Sequence, residues 1–188
     1  QQQGLAVLRD LVANRYLRVQ NLVATLGGLP CPLNAMKAFP MNTELQRTAC
    51  SAIEVLILHH RANQQQLLNQ GAATIVLEAA QTHSNNAALQ EHAFLALAGL
   101  ACAFTDTDAH LSHPKLLSAF NKTGGVDTLF RALATHTTNT RTVTAACEAL
   151  YQLAALRQFN EILAKPSHTQ QLVHTLQLNS AHPDVQTS

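Results

Sequence analysis

Ten histidines and four cysteines are the residues of this 188-residue chain best equipped for chemistry. In "HLSH", His110 and His113 have a spacing with which two imidazoles can grip one zinc ion, and Asp106 and Asp108 beside them offer oxygen ligands. No CxxC or other second ligand pair stands nearby, so the stretch reads as a solvated polar loop and no metal is assigned. Cysteine-based catalysis would need Cys50 or Cys147 beside a histidine and a carboxylate, and serine, metal or phosphate chemistry would need GxSxG, HExxH, GxxxxGK[ST] or GxGxxG. None of these motifs occurs, and the sequence reading assigns no catalytic residue, no cofactor and no enzyme activity.

The histidines make more sense as parts of a repeated element. "NQGAATIVLEAAQTH" (69–83) returns as "KTGGVDTLFRALATH" (122–136), with Gly71 on Gly124 and His83 on His136 at an offset of 53 residues. Carried forward, that offset sets Ala93 on Ala146, Leu97 on Leu150 and Leu100 on Leu153; an offset of 44 carries the pattern back to Gly27, Leu45, Gln46, Ala49 and Leu56. The difference of nine residues is what a loop insertion near 104–113 would produce. A unit of about forty-odd residues falls in the size range of helical solenoids, whose core is built from contacts between neighbours.

Each copy reads as a short helix, a glycine turn, a medium helix, a polar loop and a long helix. The expected long helices run over 43–59, 87–104 and 141–156. In the second copy Leu89, Ala93, Ala96, Leu97 and Leu100 follow the i, i+3, i+4, i+7 spacing of one buried face. Short helices are expected at 63–70, 114–122 and, less regularly, 160–165, with Pro114 suited to a first helical position. Gly27, Gly28, Gly71, Gly124 and Gly125 mark the turns, where a positive φ favours glycine. Cys50, Phe94 and Cys147 share one repeat position, which predicts reduced, packed thiols in a cytosolic or nuclear compartment. His59 and His60 are expected to close a long helix near its negative dipole end, as His83 and His136 close their second helices.

The segments "LGGLPCPLNAMKAF…NTELQRTACSAIEVL", "LQEHAFLALAGLA" and "TGGVDTLFRAL" resemble armadillo repeats. The likeness rests on a glycine pair or Gly-Ala, an aliphatic residue and then leucine, followed about twenty residues on by A-x-x-[AL]-[LI]-x-x-[LI]. HEAT repeats, which use two helices and lack this glycine pair, fit less well. The resemblance implies an all-α, right-handed solenoid of three-helix repeats. Its units would be 27–70, 71–123 and 124–166, between a partial N-terminal unit at 1–26 and a partial C-terminal unit at 167–188. Lacking an initiating methionine and stopping where a helix should begin, the sequence reads as a piece of a longer protein.

The resemblance further implies that the third helices line a concave groove for a protein or an extended peptide. Three repeat-equivalent rows then become candidate binding residues: Arg47, Glu91 and Thr144; Ser51, Leu95 and Glu148; Val55, Gly99 and Gln152. In the import-adaptor branch the second and third rows carry tryptophan and asparagine; neither stands here, so basic nuclear-localisation peptides are not the expected ligand. The strongly basic groove of the catenin branch is absent too, because Arg47 is mixed with Glu91 and Glu148. A net charge near +1 and 12% charged residues give no electrostatic case for nucleic acid or an acidic membrane. No apolar run reaches the length of a transmembrane helix. The expectation is therefore a non-catalytic, cytoplasmic scaffold or adaptor, in a cytoskeletal, ciliary or ubiquitin-ligase assembly, with self-association through its open ends a further expectation. The alternative is a regulatory domain of a multidomain enzyme such as a kinase or ubiquitin ligase.

Overall fold

The computed structural model describes residues 3–4, 17–102 and 114–178 of the chain. Among the described residues the elements are helices: α1 (Leu17–Thr25), α2 (Pro30–Ala38), α3 (Thr43–Ile57), α4 (Arg61–Asn69), α5 (Ala72–Thr82), α6 (Ala87–Cys102), α7 (Pro114–Thr123), α8 (Gly125–Thr135), α9 (Thr140–Ala154), a 3-10 turn at Arg157–Phe159, α10 (Asn160–Leu163) and α11 (Pro166–Leu178). They form an all-α armadillo-type solenoid in which α3, α6 and α9 are the third helices. The 104–113 insertion, with His110, His113, Asp106 and Asp108, lies outside the described residues, as do most of the N-terminal partial unit and the chain from 179 onward.

The turns follow from backbone sterics. Gly27, Gly71 and Gly124 have φ of 73°, 83° and 64°, a region that costs a side-chain-bearing residue strain energy. The second glycine of a pair does a different job. A Cβ on Gly125 would stand 2.6 Å from Phe120 Cδ1 and 2.9 Å from Leu77 Cδ1, so its missing side chain lets α8 close on the neighbouring helices. Gly28 is tight in the same way, 2.8 Å from Val23 Cγ1.

Each third helix starts on an asparagine. Asn42, Asn86 and Asn139 accept through Oδ1 from the backbone N–H of Leu45, Leu89 and Thr142 at 3.1, 2.9 and 3.1 Å. Each satisfies one otherwise orphaned donor, an effect of about 1 kcal/mol. Just beyond, the repeat-equivalent glutamines act alike. Gln46 donates to the carbonyls of Met36 and Phe39, and Gln90 to those of Ala80 and His83, tying the end of the second helix to the third. The third copy has Val143 at this position and lacks the tie.

Behind these caps α6 packs between α3 and α9. The repeated layers Ala49, Ala93 and Ala146; Ile53, Leu97 and Leu150; and Leu56, Leu100 and Leu153 are all buried. Each buried leucine or isoleucine contributes about 1.5–3 kcal/mol relative to exposure, and the alanine layer lets the three helices approach. The layer of Leu45 and Leu89 is continued by Thr142, whose buried hydroxyl donates to Ala87 O at 3.0 Å.

Several boundaries differ from the sequence expectation. The first long helix stops at Ile57, because His59 takes a positive φ of 55° and His60 turns to cap α4, accepting from Asn63 N at 3.3 Å. His59 and His60 thus sit outside the helix they were expected to close, and His60 begins the next one. The third long helix ends at Ala154, and the short segment expected at 160–165 is only the four-residue α10, preceded by the 3-10 turn at Arg157–Phe159. Proline at 166 opens α11, so a boundary between 166 and 167 cuts that helix. There Phe159 packs edge-on against Phe120 at 5.3 Å, and His168 stacks on Phe130 at 4.2 Å.

Candidate partner-binding face

The surface formed by α3, α6 and α9 carries the three candidate rows. Arg47, Glu91 and Thr144 are half-buried, as are Leu95 and Glu148 of the second row and Val55, Gly99 and Gln152 of the third. Ser51 is the exception: only 4% exposed, its short side chain ends beneath its longer neighbours, so it presents nothing to a partner.

Charge on this face is arranged in local pairs. Arg47 donates through Nη2 and Nε to Glu44 Oε2 at 2.8 and 3.2 Å, one turn back on α3. That hydrogen bond, and next the guanidinium charge, hold the Glu44 carboxyl below its ordinary range. Glu54 Oε2 meets His92 Nδ1 at 3.0 Å across the α3–α6 seam. On α9, Gln152 donates to Glu148 Oε1 at 2.7 Å.

Leu95, Gly99, Glu148 and Gln152 come together around a cavity of about 490 Å³ at one end of the third helices, with Glu54, Ile57, Leu58 and Ala98 among its other walls. The remaining candidates, Arg47, Ser51, Val55, Glu91 and Thr144, lie outside its lining. Gly99 matters to its shape in two ways. A Cβ there would meet Ile57 Cδ1 at 2.8 Å, and its carbonyl accepts from Gln64 of α4 at 3.2 Å. Glu54 falls outside the three candidate rows, which follow the i, i+4, i+8 spacing. On a helix of 3.6 residues per turn the i+7 position shares that face, so Arg47 points to residue 54 as well as to 55.

Cys50 and Cys147 lie beneath the face, with Phe94 at their shared repeat position, all three buried. Burial pushes the Cys50 thiol up to about 12, helped by the charge of Glu54, and burial raises Cys147 as well. Protonated thiols of this kind are poor nucleophiles and poor metal ligands. Cys31 and Cys102 are exposed. Among the described residues no three His, Cys, Asp or Glu side chains gather into a group able to hold a metal ion, and no helix is long and apolar enough to cross a membrane.

A family model described as LRRK2 ARM repeat matches residues 29–185. No curated protein and no solved structure matches the chain.

Proposed function

The chain belongs to the LRRK2 ARM repeat family, and we propose that it is a non-catalytic protein-interaction module of the cytoplasm whose α3, α6 and α9 face receives a protein or an extended peptide. The observation that carries this reading is the half-buried strip from Arg47 through Leu95 to Gln152. It runs across three consecutive repeats over the buried alanine and leucine layers. A repeated face with a pocket suits recognition of an extended chain, and the pairings of Arg47 with Glu44 and of Gln152 with Glu148 reduce the side-chain freedom to be lost on binding.

The family match favours a second reading, in which the module regulates a multidomain kinase and the same face takes another part of that protein. Both use one surface. The test is capture from native cell extract with three baits: the natural chain, a face variant with Arg47, Glu91 and Glu148 changed to alanine, and a second-helix control with Lys37 and Glu78 changed to alanine. Partners held by the natural chain and the control and lost by the face variant are the expected result. Partners held equally by all three baits would overturn the assignment of the face.

A further inference from the structure

Building on the reading of the third-helix face as the partner surface, we infer that the cavity at its edge is a subsite for one basic side chain, lysine or arginine, of an extended partner segment. Two carboxylates line it, Glu54 from α3 and Glu148 from α9, the helices that flank α6 on either side. Each uses one oxygen within the fold. Glu54 Oε2 meets His92 and Glu148 Oε1 accepts from Gln152, which leaves Glu54 Oε1 and Glu148 Oε2 to accept from a ligand.

The backbone adds in part to the same sign. α3 ends at the cavity, with Ile57 and Leu58 in its lining, and the negative end of its dipole favours a cation there. The first turn of α4, which carries Arg61 and Gln64, brings a positive end to the opposite edge. His59 and Arg61 line the cavity too, so among the described residues of its lining one fixed positive charge stands against two negative ones. That balance suits a single incoming cation and disfavours a run of them.

The apolar walls set the shape of the visitor. Ile57, Leu95 and Ala98 offer hydrocarbon contact for a methylene stem, while the carboxylates offer acceptors for its charged end. A volume of about 490 Å³ lies within the range of small-ligand clefts and exceeds what a lone ion needs. The match of stem to apolar wall and cation to carboxylate points to a lysine or arginine side chain.

The experiment is an NMR titration of the 15N-labelled 188-residue chain with acetyl-Gly-Ser-Gly-Lys-Gly-Ser-Gly-amide at low salt. The arginine, norleucine and glutamate versions of the peptide are titrated beside it. Saturable shifts of the Ala98, Gly99 and Cys102 amides are expected with lysine and arginine, with about threefold to fivefold weaker binding for norleucine and none for glutamate. Glu148→Gln and, separately, Glu54→Gln should weaken the lysine peptide by a similar factor, with folding checked from the dispersion of the same spectra. Equal binding of the norleucine and lysine peptides, lysine binding unchanged in both variants, or no shift at these amides would each overturn the subsite. Failure here with partner loss still seen in the alanine face variant would leave the broader face assignment standing. Retention of partners by that variant would remove it.

Discussion

The imidazole of His136 donates from Nε2 to the carbonyl oxygen of Ser84 at 2.8 Å, so the end of one second helix is tied to the corresponding turn of the preceding repeat. His83 repeats the contact one unit earlier. Its Nε2 donates to Pro40 O at 2.8 Å, while Nδ1 accepts from the Thr43 hydroxyl at 3.1 Å. Two histidines expected only to close their own helices thus act between units, joining neighbours where a solenoid most needs coupling.

His136→Ala should therefore destabilise the fold by about 1 kcal/mol, the usual net worth of a partly buried hydrogen bond, and lower the melting midpoint by about 2–4 °C. Urea denaturation followed by circular dichroism reads the free-energy change, and a thermal scan of the same signal reads the melting shift. His83→Ala should lose at least as much, since it gives up two contacts. An unchanged midpoint in both variants would mean that the ties are incidental to repeat coupling.

Much of this fold was legible because a repeat writes its rules several times. The matched positions Gly71 and Gly124, or Ala93 and Ala146, carry the same backbone or packing constraint in each copy, and self-comparison exposes them without any partner sequence. Gln46 and Gln90 were aligned by the same offset, but their shared hydrogen bonds could be seen only once the end of the second helix was placed beside the start of the third. The binding face was less legible. Whether a half-buried side chain opens to solvent depends on the lengths of its neighbours, which is why Ser51 is covered and Leu95 is not. Glu54 shows another limit, since the copies put Ala98 and Tyr151 at its position and repetition gives no signal where the residue type changes.

The two members of a glycine pair should respond differently to substitution. At Gly124, with φ of 64°, a Cβ would have 3.8 Å to its nearest neighbour, so the penalty is in the backbone itself. Gly124→Val should cost about 1–3 kcal/mol, whereas Gly71→Asn should cost less because asparagine tolerates the left-handed region. Gly125→Ala meets no such backbone barrier, but its Cβ would press on the buried ring of Phe120, a steric cost of about 1–3 kcal/mol. Denaturation midpoints of the three variants separate the two causes. A harmless Gly124→Val would contradict the assigned turn.

Thiol chemistry gives a test of the buried layer. At mildly alkaline pH a thiol reagent should label the exposed Cys31 and Cys102 rapidly, and should reach Cys50 and Cys147 only at the rate of unfolding. The raised Cys50 value also sets the sign of a pH effect. Folded Cys50 holds its proton up to about 12 while an ordinary thiol loses it near 9.0, so above that lower value the unfolded state is the one that gains from ionising. Stability should be unaffected by this thiol below the ordinary value and should fall as pH rises from it toward the folded one. The slope for one group is at most about 1.4 kcal/mol per pH unit. Cys50→Ala removes that contribution, although it leaves a small cavity that lowers stability at every pH. The difference between the natural chain and the variant, followed by urea denaturation from neutral pH upward, should therefore shrink across the alkaline window. A difference that stays constant would mean that Cys50 ionises as readily in the folded chain as in the unfolded one, and that the layer beneath the face admits water.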